Sequence, residues 1–209
     1  MLFSDACRKV RSATLHDDDT QFTDTQLIDD VLADEYRRLR RWLCTYVPSL
    51  CEAVVSGIAV TSTGVILKSA LANFERIVRV ERLNGSAYFP IEVSSGLAAS
   101  YPYRLSVREQ PTQLLISPDS LAEGTYQIVY LTGAPASIVA GTTVDMPDEL
   151  CNVMVERGCM WARQRHNEHD KVAYHEKRAE ALMADAHSNL RDRYGDHGKP
   201  GLKRERRVR

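Results

Sequence analysis

Three consecutive aspartates at residues 17–19 are the first candidates for chemistry in this 209-residue sequence. A helix–loop–helix calcium site needs oxygen ligands at alternate positions, then a glycine and a distant glutamate. The aspartates and Gln21 could begin such a loop, but Phe22 occupies the glycine position and Ile28 the glutamate position. The calcium motif therefore fails, and we interpret the cluster as a solvated bend ahead of a helix.

A second cluster has the sequence HNEHD at residues 166–170. On a continuous helix, His166 and His169 would lie one turn apart and could ligate the same metal ion. Two ligands on one helix need a third from elsewhere, and no partner motif is visible. A hydrated helix face is the preferred interpretation, and metal binding by His166 and His169 is left open.

Motifs for nucleophilic or phosphate chemistry are missing. The sequence contains no Gly-x-Ser-x-Gly elbow, and the stretch VTSTGVILKS lacks the glycine spacing of a phosphate loop. Paired carboxylates such as Asp29 with Asp30 lie in polar contexts. The sequence therefore argues against an enzyme, and we assign no catalytic residue, no cofactor and no metal ligand.

Cysteine usage indicates a reducing compartment. The five cysteines are odd in number and form no CxxC pair, so we expect reduced and mostly buried thiols made in a cytosol. The first ten residues lack the apolar run of a signal peptide, and no apolar stretch approaches membrane-spanning length. We therefore expect a globular protein without a membrane segment.

Helical periodicity surrounds a middle region of period two. A short amphipathic helix is predicted near residues 2–15. Thr23 with Gln26 forms a capping box for a second helix that Pro48 ends. From Glu52 to Leu131 the alternation predicts short antiparallel strands of a small sheet, with a hairpin at Asn84-Gly85.

A long helical pattern then runs from about Glu149 to about Asn189. Asp145 can cap it, and Pro147 suits its first turn. Its first part is apolar nearly all round, which predicts burial or contact with a partner. The stretch RQRHNEHDK interrupts the apolar stripe and indicates a bend.

The C-terminal segment is basic, whereas the rest of the chain is acidic. Residues 191–209 contain eight basic and three acidic side chains, a net charge of +5, which leaves −6 on the rest of the chain. This pattern predicts a tail that docks elsewhere. Residues of the predicted docking tail are Arg191, Arg193, Tyr194, Leu202, Lys203, Arg204, Arg206, Arg207 and Arg209.

These elements predict an α+β protein of three parts. Residues 1–50 and 143–190 form a discontinuous helical bundle, residues 52–138 an inserted antiparallel β domain, and residues 191–209 an extended basic tail. The residues assigned to the helical core or to an interface between copies are Tyr36, Leu39, Trp42, Val153, Met154, Met160 and Trp161.

The order of these pieces resembles the head-to-tail connector, or adaptor, proteins of tailed bacteriophages. The resemblance is carried by CRKVRSATLHDDDTQFTDTQLIDDVLADEYRRL, by RIVRVERLNGSAYFPIEV and YQIVYLTGAP, by MPDELCNVMVERGCMWARQRHNEHDKVAYHEKRAEAL, and by the charged tail. Its specificity lies in the order of the stretches, which together cover most of the chain.

The resemblance implies a structural virion protein. Copies would form a dodecameric ring below the portal, in the neck between capsid and tail, after synthesis in the bacterial cytoplasm. Its partners would be the portal, a downstream tail or nozzle protein, and further copies of itself. Genomic DNA would pass an acidic channel without specific binding. The alternative is a nucleic-acid-binding module that acts through the basic tail.

Overall fold

A computed structural model describes residues 1–14, 22–94 and 104–194. The predicted acidic bend, with the aspartates at 17–19, lies outside the described residues, and so do the tail residues beyond Tyr194. The chain divides into two compact units. The helical unit consists of Met1–Ser49 and Ala134–Arg209, and the β unit is Leu50–Gly133. The predicted α+β class is confirmed.

Six α-helices are described, besides short π-helical and 3-10 segments. Five belong to the helical unit, and the short α4 belongs to the β unit. Their bounds are α1 Phe3–Thr14, α2 Asp24–Leu27, α3 Ala33–Tyr46, α4 Asp119–Ala122, α5 Asp148–Arg165 and α6 His169–Tyr194.

The second predicted helix begins and ends as its sequence indicates. The Thr23 hydroxyl accepts a hydrogen bond from the Gln26 amide, and the Gln26 side chain accepts one from the Thr23 amide, so the capping box is confirmed. The helix ends at Tyr46, two residues before Pro48. Between α2 and α3 the backbone of Ile28–Leu32 is π-helical, which the sequence did not predict.

The predicted bend in the return helix is also confirmed. Helix α5 ends at Arg165, and Asn167 adopts a left-handed conformation with φ of 57° before α6 begins. The predicted cap is wrong. Pro147, not Asp145, occupies the N-cap position and makes no side-chain cap, while the Asp145 carboxylate pairs with Arg40 instead.

Helix α6 continues beyond the predicted end near Asn189. It reaches Tyr194, so Arg191, Arg193 and Tyr194 lie in its last turn and not in an extended tail. The prediction of an extended segment from residue 191 is therefore wrong for these residues. The basic side chains suit the end of a helix, where they face the negative end of its dipole.

The core of the helical unit explains why α5 is so apolar. Leu150, Val153, Met154 and Cys159 are all buried, because α1, α3, the π-helical segment and α6 pack around α5. Gly158 permits this packing: a Cβ there would lie 2.7 Å from Val10 Cγ2 and 3.0 Å from Leu32 Cδ2.

Seven strands form one mixed sheet in the β unit, in the order β1-β7-β3-β4-β5-β6-β2. The sheet curls into a nearly closed barrel. The strand bounds are β1 Glu52–Val60, β2 Val65–Leu67, β3 Phe74–Asn84, β4 Ala87–Ser94, β5 Ser106–Glu109, β6 Gln113–Ser117 and β7 Gly124–Thr132.

The predicted hairpin joins β3 to β4. Asn84 pairs with Ala87, so the turn residues are Gly85 and Ser86, and Gly85 has φ of 64°. A glycine with positive φ at the first central position is typical of the tight turns that join antiparallel strands.

One part of the antiparallel prediction is wrong: β4 pairs with β5 in parallel. Short turns impose antiparallel pairing, but residues 95–105 are enough chain to return to the same end of the sheet. The other strand pairs are antiparallel.

The interior of the barrel is filled by apolar side chains that alternate along the strands. Leu114 and Ile116 on β6, Tyr126 and Ile128 on β7, and Val80 on β3 belong to one buried apolar cluster. The Tyr126 hydroxyl donates a hydrogen bond of 2.7 Å to the Ala122 carbonyl, which satisfies its buried polar atom.

Within the described part of the chain, no helix has both the length and the apolar composition needed to cross a bilayer.

Candidate functional site

A group of polar side chains lies between α5 and α6. It consists of Glu156 and Cys159 on α5 and of His175 and Arg178 on α6, and we call it the α5–α6 polar cluster. The Glu156 carboxylate uses both oxygens: Oε2 lies 2.7 Å from His175 Nδ1, and Oε1 lies 2.8 Å from Arg178 Nε. Cys159 is fully buried and His175 nearly so.

Helix geometry explains why these residues meet. Glu156 and Cys159 are three residues apart, as are His175 and Arg178, and residues at this spacing share one helix face. Helices α5 and α6 are joined by only three residues and pack along much of their length. The two pairs are therefore brought face to face.

The environment of the thiol keeps it protonated. Burial, and to a lesser extent the neighbouring Glu156 carboxylate, raise the pKa of Cys159 to about 12, although Arg163 and Arg178 act in the opposite direction. A protonated, buried thiol is a poor nucleophile. The cluster therefore lacks the activated sulfur that nucleophilic catalysis would need.

The buried side chain of Arg163 stabilises the short connection between α5 and α6. Arg163 donates a hydrogen bond to Glu168, and Lys171 pairs with the same carboxylate at 3.0 Å. These hydrogen bonds, first from Arg163 and then from Lys171, lower the pKa of Glu168 to about 2. Arg163 Nε has no partner although it is buried.

A cleft of about 430 Å³ reaches the cluster from the surface. Glu156, His175 and Arg178 line it together with Arg163 and Tyr174. Glu156, His175 and Arg178 are thus open to small solutes, while Cys159 is fully buried beside them.

The structure separates the two histidines that the sequence placed on one helix face. His166 is the C-cap of α5, and His169 is the first residue of α6, with the left-handed Asn167 between them. The predicted one-turn spacing on a continuous helix is therefore wrong. Among the described residues, the group with ligand atoms close enough to share a metal ion is Glu156, Cys159 and His175.

Sequence reasoning missed this group. A signal was present, because the stretch ERGC in α5 carries a carboxylate and a thiol at helical spacing. The third member, His175, lies sixteen residues beyond Cys159, and only the fold of α6 back onto α5 reveals it.

The residues predicted for the helical core or an interface fall into two groups. Tyr36, Leu39, Val153 and Met154 are buried inside the helical unit. The other three, Trp42, Met160 and Trp161, remain partly exposed.

Trp42 belongs to an exposed aromatic patch. It packs against Tyr46 at a ring distance of 5.2 Å and against His187 at 5.7 Å. Tyr46 is 54% exposed. Trp161 makes an edge-to-face contact with Phe22 at 5.0 Å, and the Arg165 guanidinium lies over the Trp161 ring at 4.8 Å.

Of the predicted tail residues, Arg191, Arg193 and Tyr194 can be placed. Arg193 lies 3.0 Å from Glu149 at the start of α5, so its charge is already paired within the helical unit. Arg191 and Tyr194 are exposed. Residues 202–209, with the remaining predicted docking side chains, lie outside the described residues.

The β unit carries a different kind of surface. A groove of about 560 Å³ runs beside β4 and is lined by Phe89, Pro90, Ile91 and Leu121 with charged residues at its rim. Phe89 is 53% exposed. Strand β4 contains no buried residue at all.

Comparison of the sequence with models of protein families and with curated proteins gives no match.

Proposed function

We propose that this chain is a head-to-tail connector protein of a tailed bacteriophage. Copies assemble as a dodecameric ring below the portal and join the capsid to the tail. The function is assembly and not catalysis, and DNA passes the ring without specific binding.

The observation that carries the proposal is the chain order of the two units. Helices from both ends of the described chain pack into one unit, and a β unit is inserted between them. This is the arrangement that the resemblance to connector proteins implies. A discontinuous helical bundle with an inserted sheet also suits a ring subunit, since the two units can make separate contacts.

The exposed apolar surface supports association with other chains. Phe89 on β4 and Val54 on β1 each leave more than half of their surface open, and both strands are otherwise poorly covered. A contiguous apolar patch on a surface is typical of an interaction site, whereas single exposed apolar residues are common on any protein. In the ring, these surfaces and the Trp42–Tyr46–His187 patch would meet neighbouring subunits or the next tail protein.

The basic tail is proposed to order on the portal. Arginines such as Arg204, Arg206 and Arg207 would pair with carboxylates of the portal, while Leu202 and Tyr194 supply apolar contacts. The net charge of −6 on the remaining chain suits a channel that repels the DNA backbone.

The test is the mass of the purified chain in solution, alone and mixed with its own phage's portal ring. Association with the portal in a fixed ring stoichiometry supports the proposal. No association under assembly conditions contradicts it.

A truncation after Tyr194 then isolates the tail. This endpoint is better than one near Asn189, because Leu190 is buried and Arg193 pairs with Glu149. The truncated chain should keep its fold and lose portal attachment. Normal attachment would show that the tail does not dock, and a steeply salt-dependent DNA affinity that is lost with the tail would favour the nucleic-acid alternative.

A further inference from the structure

We propose that Glu156, Cys159 and His175 bind a single divalent metal ion of the zinc class. The proposal rests on their position between α5 and α6 and is independent of the connector function. A carboxylate oxygen, a thiol sulfur and an imidazole nitrogen are the three ligand types that zinc takes from proteins.

The spacing of the ligand atoms is close to what a tetrahedral ion requires. Glu156 Oε2, Cys159 Sγ and His175 Nδ1 all lie within 4.8 Å of one another. Zinc–sulfur and zinc–nitrogen bonds of about 2.3 and 2.0 Å place tetrahedral ligands roughly 3.3–3.7 Å apart. Small side-chain movements would suffice, with His175 Nδ1 moving slightly away from Glu156 Oε2 to admit the ion.

The surrounding hydrogen bonds orient the ligands. Arg178 Nε holds Oε1 of Glu156 at 2.8 Å, which leaves Oε2 directed at His175. An outer residue that fixes a ligating carboxylate in this way is typical of metal sites. The carboxylate and a thiolate together would balance the two charges of the ion, while Arg163 stays paired with Glu168.

The cleft provides space for the fourth ligand of the ion, because the protein supplies three. It is lined by Glu156 and His175 and holds about 430 Å³, enough for a water molecule at the fourth position and for access by the ion. A simple ion pair explains Glu156, His175 and Arg178. An ion pair does not involve the buried thiol of Cys159 beside them. A metal site would use the carboxylate, the thiol and the imidazole together.

The test uses cobalt(II), which takes zinc's place and absorbs light according to its ligands. The full chain is freed of metal with a chelator, dialysed, and titrated with cobalt(II) under reducing conditions. One equivalent should bind with a thiolate-to-cobalt charge-transfer band and the intense visible bands of tetrahedral coordination. Zinc should displace the cobalt and raise the melting temperature.

Matched variants decide which residues bind. Cys159→Ser should abolish the charge-transfer band, whereas Cys151→Ser, a change at another buried thiol of α5, should retain it. His175→Gln should weaken cobalt binding at least tenfold. His187→Gln, on the same helix but in the aromatic patch, should leave the affinity unchanged.

Each result bears on the proposal. Failure of the unaltered chain to bind cobalt overturns it, and so does a charge-transfer band that persists in Cys159→Ser or is lost in Cys151→Ser. Circular dichroism of the metal-free variants checks folding. If Cys159→Ser does not fold, Glu156→Gln decides: binding weakened at least tenfold supports the site, and unchanged binding overturns it.

Discussion

The helical unit and the β unit bury different chemistry. Among the described residues, the buried side chains of ionisable type other than thiols and tyrosines belong to the helical unit: Glu35, Arg40, Arg163 and His175. The interior of the β unit is apolar, apart from tyrosine hydroxyls such as that of Tyr126. Buried charge must be paired to be tolerated, so the helical unit depends on specific partners where the β unit depends on the area it buries.

The exposed apolar side chains of the two units also differ. Among the residues of the β unit that the structure describes, the large exposed apolar side chains are aliphatic or phenylalanine and carry no polar group; they are Val54, Leu67, Val78, Phe89, Val93 and Leu121. Three of those in the helical unit are tyrosines, which suit a wet surface: Tyr46, Tyr174 and Tyr194. The β unit therefore has more to gain from association, and the helical unit has more to lose from a disrupted interior.

The largest expected effect separates the core of the β unit from its surface. Leu114→Ala should lower the free energy of unfolding by about 3–4 kcal/mol, because it removes a fully buried side chain and leaves a cavity. Phe89→Ser should change it by less than about 0.5 kcal/mol, because Phe89 is half exposed. Urea unfolding of the isolated chain measures both.

If Phe89→Ser were as destabilising as Leu114→Ala, the surface of β4 would serve the stability of the single chain, and the contrast between the units would fail. Unchanged stability combined with impaired ring formation on the portal would identify that surface as an interface.

A slightly smaller effect is expected from crowding the helical unit. Gly158→Val should cost about 2–3 kcal/mol, since the added Cβ alone would come within 2.7 Å of Val10 and 3.0 Å of Leu32. Gly141→Val is the matched control, because nothing lies within 4 Å of a Cβ at that loop position. Tryptophan fluorescence suits the measurement, as both tryptophans, Trp42 and Trp161, are in the helical unit. Equal stability of the two variants would mean that α1 and α5 can separate at no cost.

In the metal-free chain, alkaline pH should weaken the helical unit before the β unit. Burial raises the pKa of Cys7 and Cys159 to about 12 and that of Cys151 to about 11, from a usual value near 9. Above pH 9 the unfolded chain loses these protons while the folded chain keeps them. The stabilisation is therefore complete below pH 9 and is lost as the pH rises towards 12, by on the order of 1 kcal/mol per pH unit for each thiol.

The stability of the β unit should decline at a higher pH than that of the helical unit. Burial also raises the pKa of Tyr126, but a tyrosine ionises in the unfolded chain only near pH 10, so its contribution declines later. Tryptophan fluorescence follows the helical unit, and near-ultraviolet circular dichroism follows the packed tyrosines of both units. Cys159→Ala should flatten the decline between pH 9 and 11. An unchanged slope would show that this thiol ionises as readily when folded as when unfolded.

Local signals predicted several ends of elements, although the predicted cap at Asp145 and the predicted helix end near Asn189 were wrong. The Thr23–Gln26 capping box, the helix end before Pro48 and the turn at Gly85 depend on hydrogen bonds or backbone angles within a few residues. Such interactions are encoded where they occur, so a single sequence reveals them.

Contacts between distant segments could not be predicted in this way. The parallel pairing of β4 with β5 depends on the path taken by residues 95–105, and the meeting of His175 with Glu156 depends on how α6 folds back. The aspartates at 17–19 are conspicuous because three acidic residues are consecutive in the sequence. The ligand group that the structure reveals was inconspicuous because its members are far apart in sequence.

The smallest expected effect concerns the surface ion pair between Asp30 and Arg165. Their closest atoms lie 3.0 Å apart, but both side chains remain about half exposed, so water and salt screen the attraction. Asp30→Asn should cost less than about 0.5 kcal/mol, and even this difference should vanish in 1 M salt. Urea unfolding at low and high salt measures it. A larger, salt-independent loss would mean that exposed pairs also hold the helical unit together, and the reliance of this unit on its buried charges would then be overstated.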